Sequence, residues 1–358
     1  MKKIFIPLLC LVWALCVQAQ DKATRIRDIR KAYAEAKNDI AANGKSGSPR
    51  MDLRISVNGG TKVDENFIII EETEQHYYFK RIHDQGKSDL FEPRCYFLTE
   101  STTANGHSVY REMLFDPLTS HLMFSFMNVE THAGLVIESR FYYDDEGHVI
   151  EAKQKAGDGE VTEQGWSSGD GDQTLAMVFL GLFDGLMQQK GSKTESYTPV
   201  QTADKAAQLT QIRSLYADAK QKIAKDEKSD VPLNMLIEIH DQEDPEMPPQ
   251  KDELKFWYEC PDDGTESRCY FISSTCQLGD HHVYSEYLFE PKTSRLKFCF
   301  SQQRQNDGPA LEWRYYFGDD GRCIETKGLD ARHGPGFADK KAAASYLEVF
   351  NAMVNPSY

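Results

Sequence analysis

A twenty-residue phrase is written twice in this chain. HSVYREMLFDPLTSHLMFSF, from His107 to Phe126, returns 174 residues later as HHVYSEYLFEPKTSRLKFCF, from His281 to Phe300. At that offset Arg94 to Lys153 aligns with Arg268 to Lys327 without a gap, and 16 of the 33 positions from Arg94 to Phe126 are identical. The match extends outward. IRDIRKAYAEAKNDIA from Ile26 answers LTQIRSLYADAKQKIA from Leu209, and LFDGLM from Leu182 resembles VFNAMV from Val349. A tandem duplication means that whatever one copy folds into must be built twice, and 358 residues suit two units of ordinary domain size.

Each copy reads as helix, strands, helix. Ile26, Ile29, Tyr33, Ala36 and Ile40, and in the second copy Leu209, Ile212, Tyr216, Ala219 and Ile223, recur every three or four residues with charges between them, so each opening helix has one face meant for a sheet. Asn43-Gly44 stops the first. Asp116-Pro117 and Glu290-Pro291 set a turn between two strands, because proline's fixed φ suits the second position of a type I turn. A second hairpin follows in RFYYDDEGHVIEAK and RYYFGDDGRCIETK, with Gly147 and Gly321 at the positive-φ position of a three-residue loop.

That loop predicts Tyr143 opposite His148, hence Arg140 opposite Glu151 and Glu138 opposite Lys153, with Arg314 opposite Glu325 and Glu312 opposite Lys327 in the second copy. Such cross-strand ion pairs describe a solvated face. The core face then carries Ile137, Phe141, Tyr143 and Ile150, answered by Leu311, Tyr315, Phe317 and Ile324.

The expected architecture is α+β: two tandem homologous units, each an N-terminal helix, an antiparallel β-meander and a C-terminal helix. Their limits are 22–188 and 206–355, joined by a polar linker over 189–205. Residues 1–19 read as a signal peptide, with Lys2 and Lys3 before an apolar run and the small residue Ala19 at the cleavage position. Removing them carries the formal charge from −15 to −17, which repels phosphate backbones, so no nucleic-acid partner is expected. The apolar stretch Leu175 to Phe183 is too short to span a bilayer, so no transmembrane segment is expected either. Six cysteines remain, and their spacing selects no pairing. Cys95 and its counterpart Cys269 read as small buried hydrophobes on a strand.

GWSSG, Gly165 to Gly169, has the letters of a nucleophile elbow, but Ser167 follows an antiparallel meander rather than a buried parallel strand. Asp280, His281 and His282 with Glu286 invite a metal, yet His281 and His282 point to opposite faces, and His282 lies roughly 13 Å along the strand from Glu286. Asp158 with Glu160, and Asp170 with Asp172, lack the closing glutamate of a calcium loop and read as solvated. No catalytic set, cofactor or metal is therefore expected. Tyr110 and Glu112, repeated as Tyr284 and Glu286, share one strand face beside Leu114 or Leu288 and are the candidate binding residues; the competing account is a covered face in which Glu pairs with Arg94 or Arg268.

With its leader and its aromatic hairpins YYDDEG and YYFGDDG, the chain resembles secreted or periplasmic tandem-repeat proteins of Gram-negative gut bacteria. The resemblance implies a place outside the cytoplasm and no particular activity. The expected function is a non-catalytic extracytoplasmic binding or structural protein with two similar sheet surfaces, whose partner is an envelope component, a glycan or a protein. The alternatives are a secreted hydrolase with a site assembled from separate strands and a carrier of an apolar ligand.

Overall fold

A computed structural model describes residues 5–43, 49–57, 70–83, 91–104, 107–131, 133–157, 159–161, 169–187, 204–226, 233–240, 249–259, 266–278, 281–305, 308–328 and 340–354. In chain order these form α1 (Phe5–Asn43), β1 (Arg50–Val57), β2 (Ile70–His83), β3 (Phe91–Ala104), β4 (His107–Phe115), β5 (Leu122–Glu130), β6 (Val136–Tyr143), β7 (Val149–Ala156), β8 (Gly159–Val161) and α2 (Gly169–Met187). The second copy contributes α3 (Lys205–Asp226), β9 (Leu233–His240), β10 (Gln250–Glu259), β11 (Arg268–Leu278), β12 (His281–Glu290), β13 (Arg295–Gln305), β14 (Leu311–Phe317), β15 (Cys323–Gly328) and α4 (Lys340–Val354).

The strands do not make two sheets. All fifteen lie in one antiparallel sheet, ordered from β15 down to β9 and then from β1 up to β8. This corrects the expectation of two α+β units, each with its own meander between its own pair of helices: the described residues build one sheet with four helices. The join is β1 with β9, paired over eight residues from Arg50 opposite His240 to Val57 opposite Leu233. An eight-residue edge strand with unpaired N–H and C=O groups is a liability, and here each edge satisfies the other. By backbone packing the chain divides into Met1–Ser48 with Tyr77–Ser101 and His107–Ala176, and Pro49–His76 with Thr102–Gly106 and Met177–Tyr358. β1 thus belongs to the second unit, with its partner.

In the first unit Ile26, Ile29 and Ala36 of α1 bury against Tyr96, Phe97, Leu114, Phe124 and Tyr142. In the second, Leu209, Ile212, Ala219 and Ile223 of α3 pack on Trp257, Tyr270, Phe271, Leu288, Phe298 and Tyr316. These are the helix faces that the apolar spacing marks. The opposite side of the sheet is covered as well. Ser125 donates to Asp172 of α2 at 2.5 Å, Tyr287 meets Tyr346 of α4 at 5.6 Å, and Phe256 stacks on Phe350 at 6.0 Å. Burial on both faces is why Cys95 to Leu98 are four consecutive buried residues rather than an alternation.

Two-sided burial corrects the single core face of the second hairpin. Phe141 and Tyr143 are buried, but so is Tyr142, which packs with Ile150 beneath α1. In the second copy Tyr316 takes that role. The cross-strand charges also move. Gly147 and Gly321 do take positive φ, but the closing pair is Asp144 with His148, and a bulge at Tyr142/Tyr143 adds a further step. Arg140 therefore faces Lys153 and Glu138 faces Lys155, while Arg314 faces Lys327. The carboxylates find other partners: Glu151 meets Arg30 of α1 and Lys153, each at 3.0 Å, and Glu325 lies 3.6 Å from both Lys205 and Arg213.

One glycine fixes the outer edge of the second unit. Gly328 has φ of 110°, and a Cβ there would stand 2.1 Å from the carbonyl oxygen of Glu312 and 2.7 Å from the Cα of Trp313. Both obstacles are backbone and cannot swing aside. Gly328→Ala is expected to cost about 2 kcal/mol, read as a lower urea midpoint with an unchanged slope. A midpoint equal to that of the parent protein would show that the β14–β15 pairing bends more easily than this geometry allows.

Candidate functional site

Tyr110 and Glu112 of β4, and Tyr284 and Glu286 of β12, lie beneath a helix, and each pair is joined by a tyrosine and a lysine of that helix that the sequence reading did not assign to the site. Both Glu112 and Glu286 are 4% exposed. The Glu112 carboxylate accepts from the Tyr110 hydroxyl at 2.6 Å, from Lys37 Nζ at 2.7 Å and from the Tyr33 hydroxyl. Glu286 accepts from Tyr284 at 2.6 Å, Lys220 Nζ at 2.9 Å and the Tyr216 hydroxyl at 2.5 Å. Among the described residues neither glutamate pairs with an arginine. Arg94 pairs instead with Glu92 at 2.7 Å. The signal for the missing partners was present in YAEAK and YADAK, where tyrosine and lysine one turn apart share a helix face.

Electrostatics give the Glu112 knot its state. Burial pushes the Glu112 carboxyl up, but hydrogen bonds from Lys37, Tyr110 and Tyr33 outweigh it and hold the group below the usual glutamate range. The phenols of Tyr33, Tyr110 and Tyr216 are driven well above their ordinary value, first by burial and then by the carboxylate each one faces. In the first knot the result is an ionised acid held by three donors. Such a group ties helix to sheet and is poorly placed to exchange protons with a substrate.

Open space lies beside the knot of the second unit. One cavity of about 240 Å³ is lined by Arg213, Tyr216, Glu286, Phe298 and Arg314. On the other side of α3 a cavity of about 170 Å³ is lined by Lys220, Ile223, Trp257, Ser273, Thr275 and Tyr284. A third and more open one, about 320 Å³, is lined by Arg54, Ser56, Asn234 and Leu236. The last two share Glu253 and Lys255 and so form one trough.

Strand register organises its floor. Ser56, Asn234, Lys255 and Ser273 form one cross-strand row. Arg54, Leu236, Glu253, Thr275 and Tyr284 form the next. Five strands at ~4.8 Å spacing give a floor roughly 19 Å long that runs across the strands. Trp257 Nε1 and Asn234 Oδ1 are buried atoms for which no hydrogen-bond partner is found among the described residues.

The remaining motifs fall elsewhere. Ser167 and Asp158 lie outside the described residues, as do the side chains of Glu160 and Asp170. Asp172 is not solvated: α2 begins at Gly169, and the Asp172 carboxyl is buried, pushed up by that burial while accepting from Ser125. His281 lies 3.4 Å from Gln303, and His282 is exposed. Among the described residues, Asp144, Glu146 and His148 hold possible metal-ligand atoms within 4.8 Å of one another, but on an exposed turn where the Asp144 carboxylate already accepts the backbone N–H groups of Glu146 and His148. Cys95 and Cys269 are buried, as the sequence suggests, with Sγ 3.5 Å from the carbonyls of Phe97 and Phe271.

No family model, curated protein or solved structure matches this chain.

Proposed function

We propose that the protein is a non-catalytic binding protein that works outside the cytoplasm and holds its ligand in the trough beside α3. The observation that carries this reading is the trough itself. It is a polar-floored depression, deepened to about 170 Å³ under the helix, whose side chains are fixed by sheet register on a rigid surface. Tyr284 borders it and Glu286 borders the cavity across the helix, so the repeated pair supports the walls from within. Location is supported by Lys2 and Lys3, the apolar run and Ala19. No helix among the described residues is long and apolar enough to cross a membrane. The acidic surface favours a partner that is not a polyanion.

The reading is tested with the full-length chain against panels of soluble glycans, peptides and envelope extracts, followed by thermal shift and calorimetry, with chromogenic hydrolase substrates in parallel. The expected result is a ligand that raises the melting temperature and is lost in Lys255→Met. Turnover of a hydrolase substrate with no stoichiometric ligand would replace this reading with the hydrolase.

A further inference from the structure

We propose that the cavity bounded by α3 and by β12, β13 and β14 binds a small aromatic monocarboxylate, its ring on the aromatic floor and its carboxylate on Arg213 and Arg314. The site lies across α3 from the trough and adds to the binding reading a second place and a second ligand.

Duplication singles out this lining. Each of the eight residues around the cavity is identical in the first copy, from Ile29 for Ile212 to Tyr142 for Tyr316. Identity reaches only 16 of 33 positions from Arg94 to Phe126, and buried positions that merely pack have drifted, Ile26 to Leu209 and Met113 to Tyr287. Cores absorb such substitutions by repacking. Two guanidiniums kept over four rings are more than packing requires.

Both guanidiniums stand at the cavity. Arg213 lies over the Tyr316 ring at 5.8 Å and Arg314 over the Phe300 ring at 5.0 Å, and both rings belong to the lining. A guanidinium stacked on a ring offers its N–H edge to a planar carboxylate in two parallel bonds. The surroundings call for that charge. Lys205, Arg213 and Lys327 share the single carboxylate of Glu325 at 3.6, 3.6 and 3.3 Å, while Arg314 has Glu312 at 3.0 Å and faces Lys327 across the ladder. Four cations thus meet two carboxylates, and like charges set opposite each other are destabilising. In the first copy the corresponding arginine is committed: Arg30 donates to the Tyr142 hydroxyl at 3.3 Å and to Glu151 at 3.0 Å, whereas Arg213 stops 3.6 Å from Glu325, beyond hydrogen-bond reach. That difference places the site in the second unit.

The floor fixes the body of the ligand. Tyr216 meets Phe298 edge-on at 4.9 Å and Phe298 meets Tyr316 at 5.0 Å, a tilted array to which a further ring adds favourably. The volume of about 240 Å³ exceeds the ~150 Å³ that accommodates a six-membered ring, which leaves space for a short arm carrying the carboxylate. Glu286 in the lining and the acidic surface of the chain disfavour a dianion.

The test is isothermal calorimetry on the full-length protein at neutral pH with 3-phenylpropionate as the probe. Acetate lacks the ring, 3-phenylpropanamide lacks the charge, and inorganic phosphate is a bare anion. 3-Phenylpropionate is expected to bind at one site, with each control at least tenfold weaker. Arg213→Gln is expected to weaken it at least tenfold without shifting the melt, and Arg314→Gln, which stands in should the first variant fold poorly, to do the same. Arg30→Gln and Lys255→Met are expected to leave it unchanged. No binding, binding that neither folded arginine variant weakens, or an amide or phosphate that binds as tightly as the acid overturns the proposal. Loss in Arg30→Gln alone overturns the assignment to the second unit. Loss in Lys255→Met alone moves the acid to the trough, which overturns this site while the binding reading stands.

Discussion

Glu112→Ala is expected to lower the unfolding free energy by about 3 kcal/mol at neutral pH. The substitution leaves two half-buried phenols and an ammonium without their common acceptor, and breaking a buried pair costs more than its net attraction was worth because the partner stays desolvated. Lys37, with its side chain 43% exposed, can swing to water, which keeps the figure at the lower end of the range for such pairs. The loss should depend on pH. Because the folded state holds the Glu112 carboxyl below its ordinary value, the stabilisation it contributes is fully present above about pH 4.3 and disappears as pH falls through the folded value. Urea titrations of parent and variant should therefore differ most at pH 7 and draw together toward pH 3. Curves that stay equally far apart would mean that packing, rather than the ionised carboxylate, holds α1 to the sheet.

Phe141→Ala should be at least as damaging, at roughly 3–5 kcal/mol, since the ring is 2% exposed and its removal leaves a cavity in a core closed on both sides of the sheet. Its neighbour gives the contrast. The Arg140 guanidinium is 49% exposed, 3.4 Å from Glu138 and 5.5 Å above the Phe126 ring, so Arg140→Ala should cost no more than about 1 kcal/mol. Equal losses at these adjacent positions would contradict the assignment of strand faces.

What the sequence discloses here follows the range of the interactions. The opening helices were legible because their apolar spacing is local, and the glycine turns because positive φ is a property of single residues. Register was not: the turn closes at Asp144 and His148 rather than one residue earlier, a bulge at Tyr142/Tyr143 leaves no mark in the letters, and together they moved Arg140 from Glu151 to Lys153. Tyr110, Glu112, Tyr284 and Glu286 could be found as a repeated pattern, but their partners Tyr33, Lys37, Tyr216 and Lys220 stand 66 to 79 residues away, and only the fold says that they meet. The trough is harder still. Its rows join Ser56 to Ser273 and Arg54 to Tyr284 through four or five strands, so no contiguous segment holds its signature.

The β1–β9 ladder has a property that reaches beyond edge protection. Met51, Leu53 and Ile55 correspond in pattern to Met235, Ile237 and Ile239, and the register sets Met51 against Ile239, Leu53 against Ile237 and Ile55 against Met235. Each residue thus faces the counterpart of its mirror position, with Leu53 and Ile237 at the centre. That is an isologous contact, the self-complementary kind by which identical subunits form closed pairs. A shorter chain holding one copy would carry on a single strand all that it needs to bind another of its kind, and duplication within one chain turns that encounter from a concentration-dependent equilibrium into an intramolecular one.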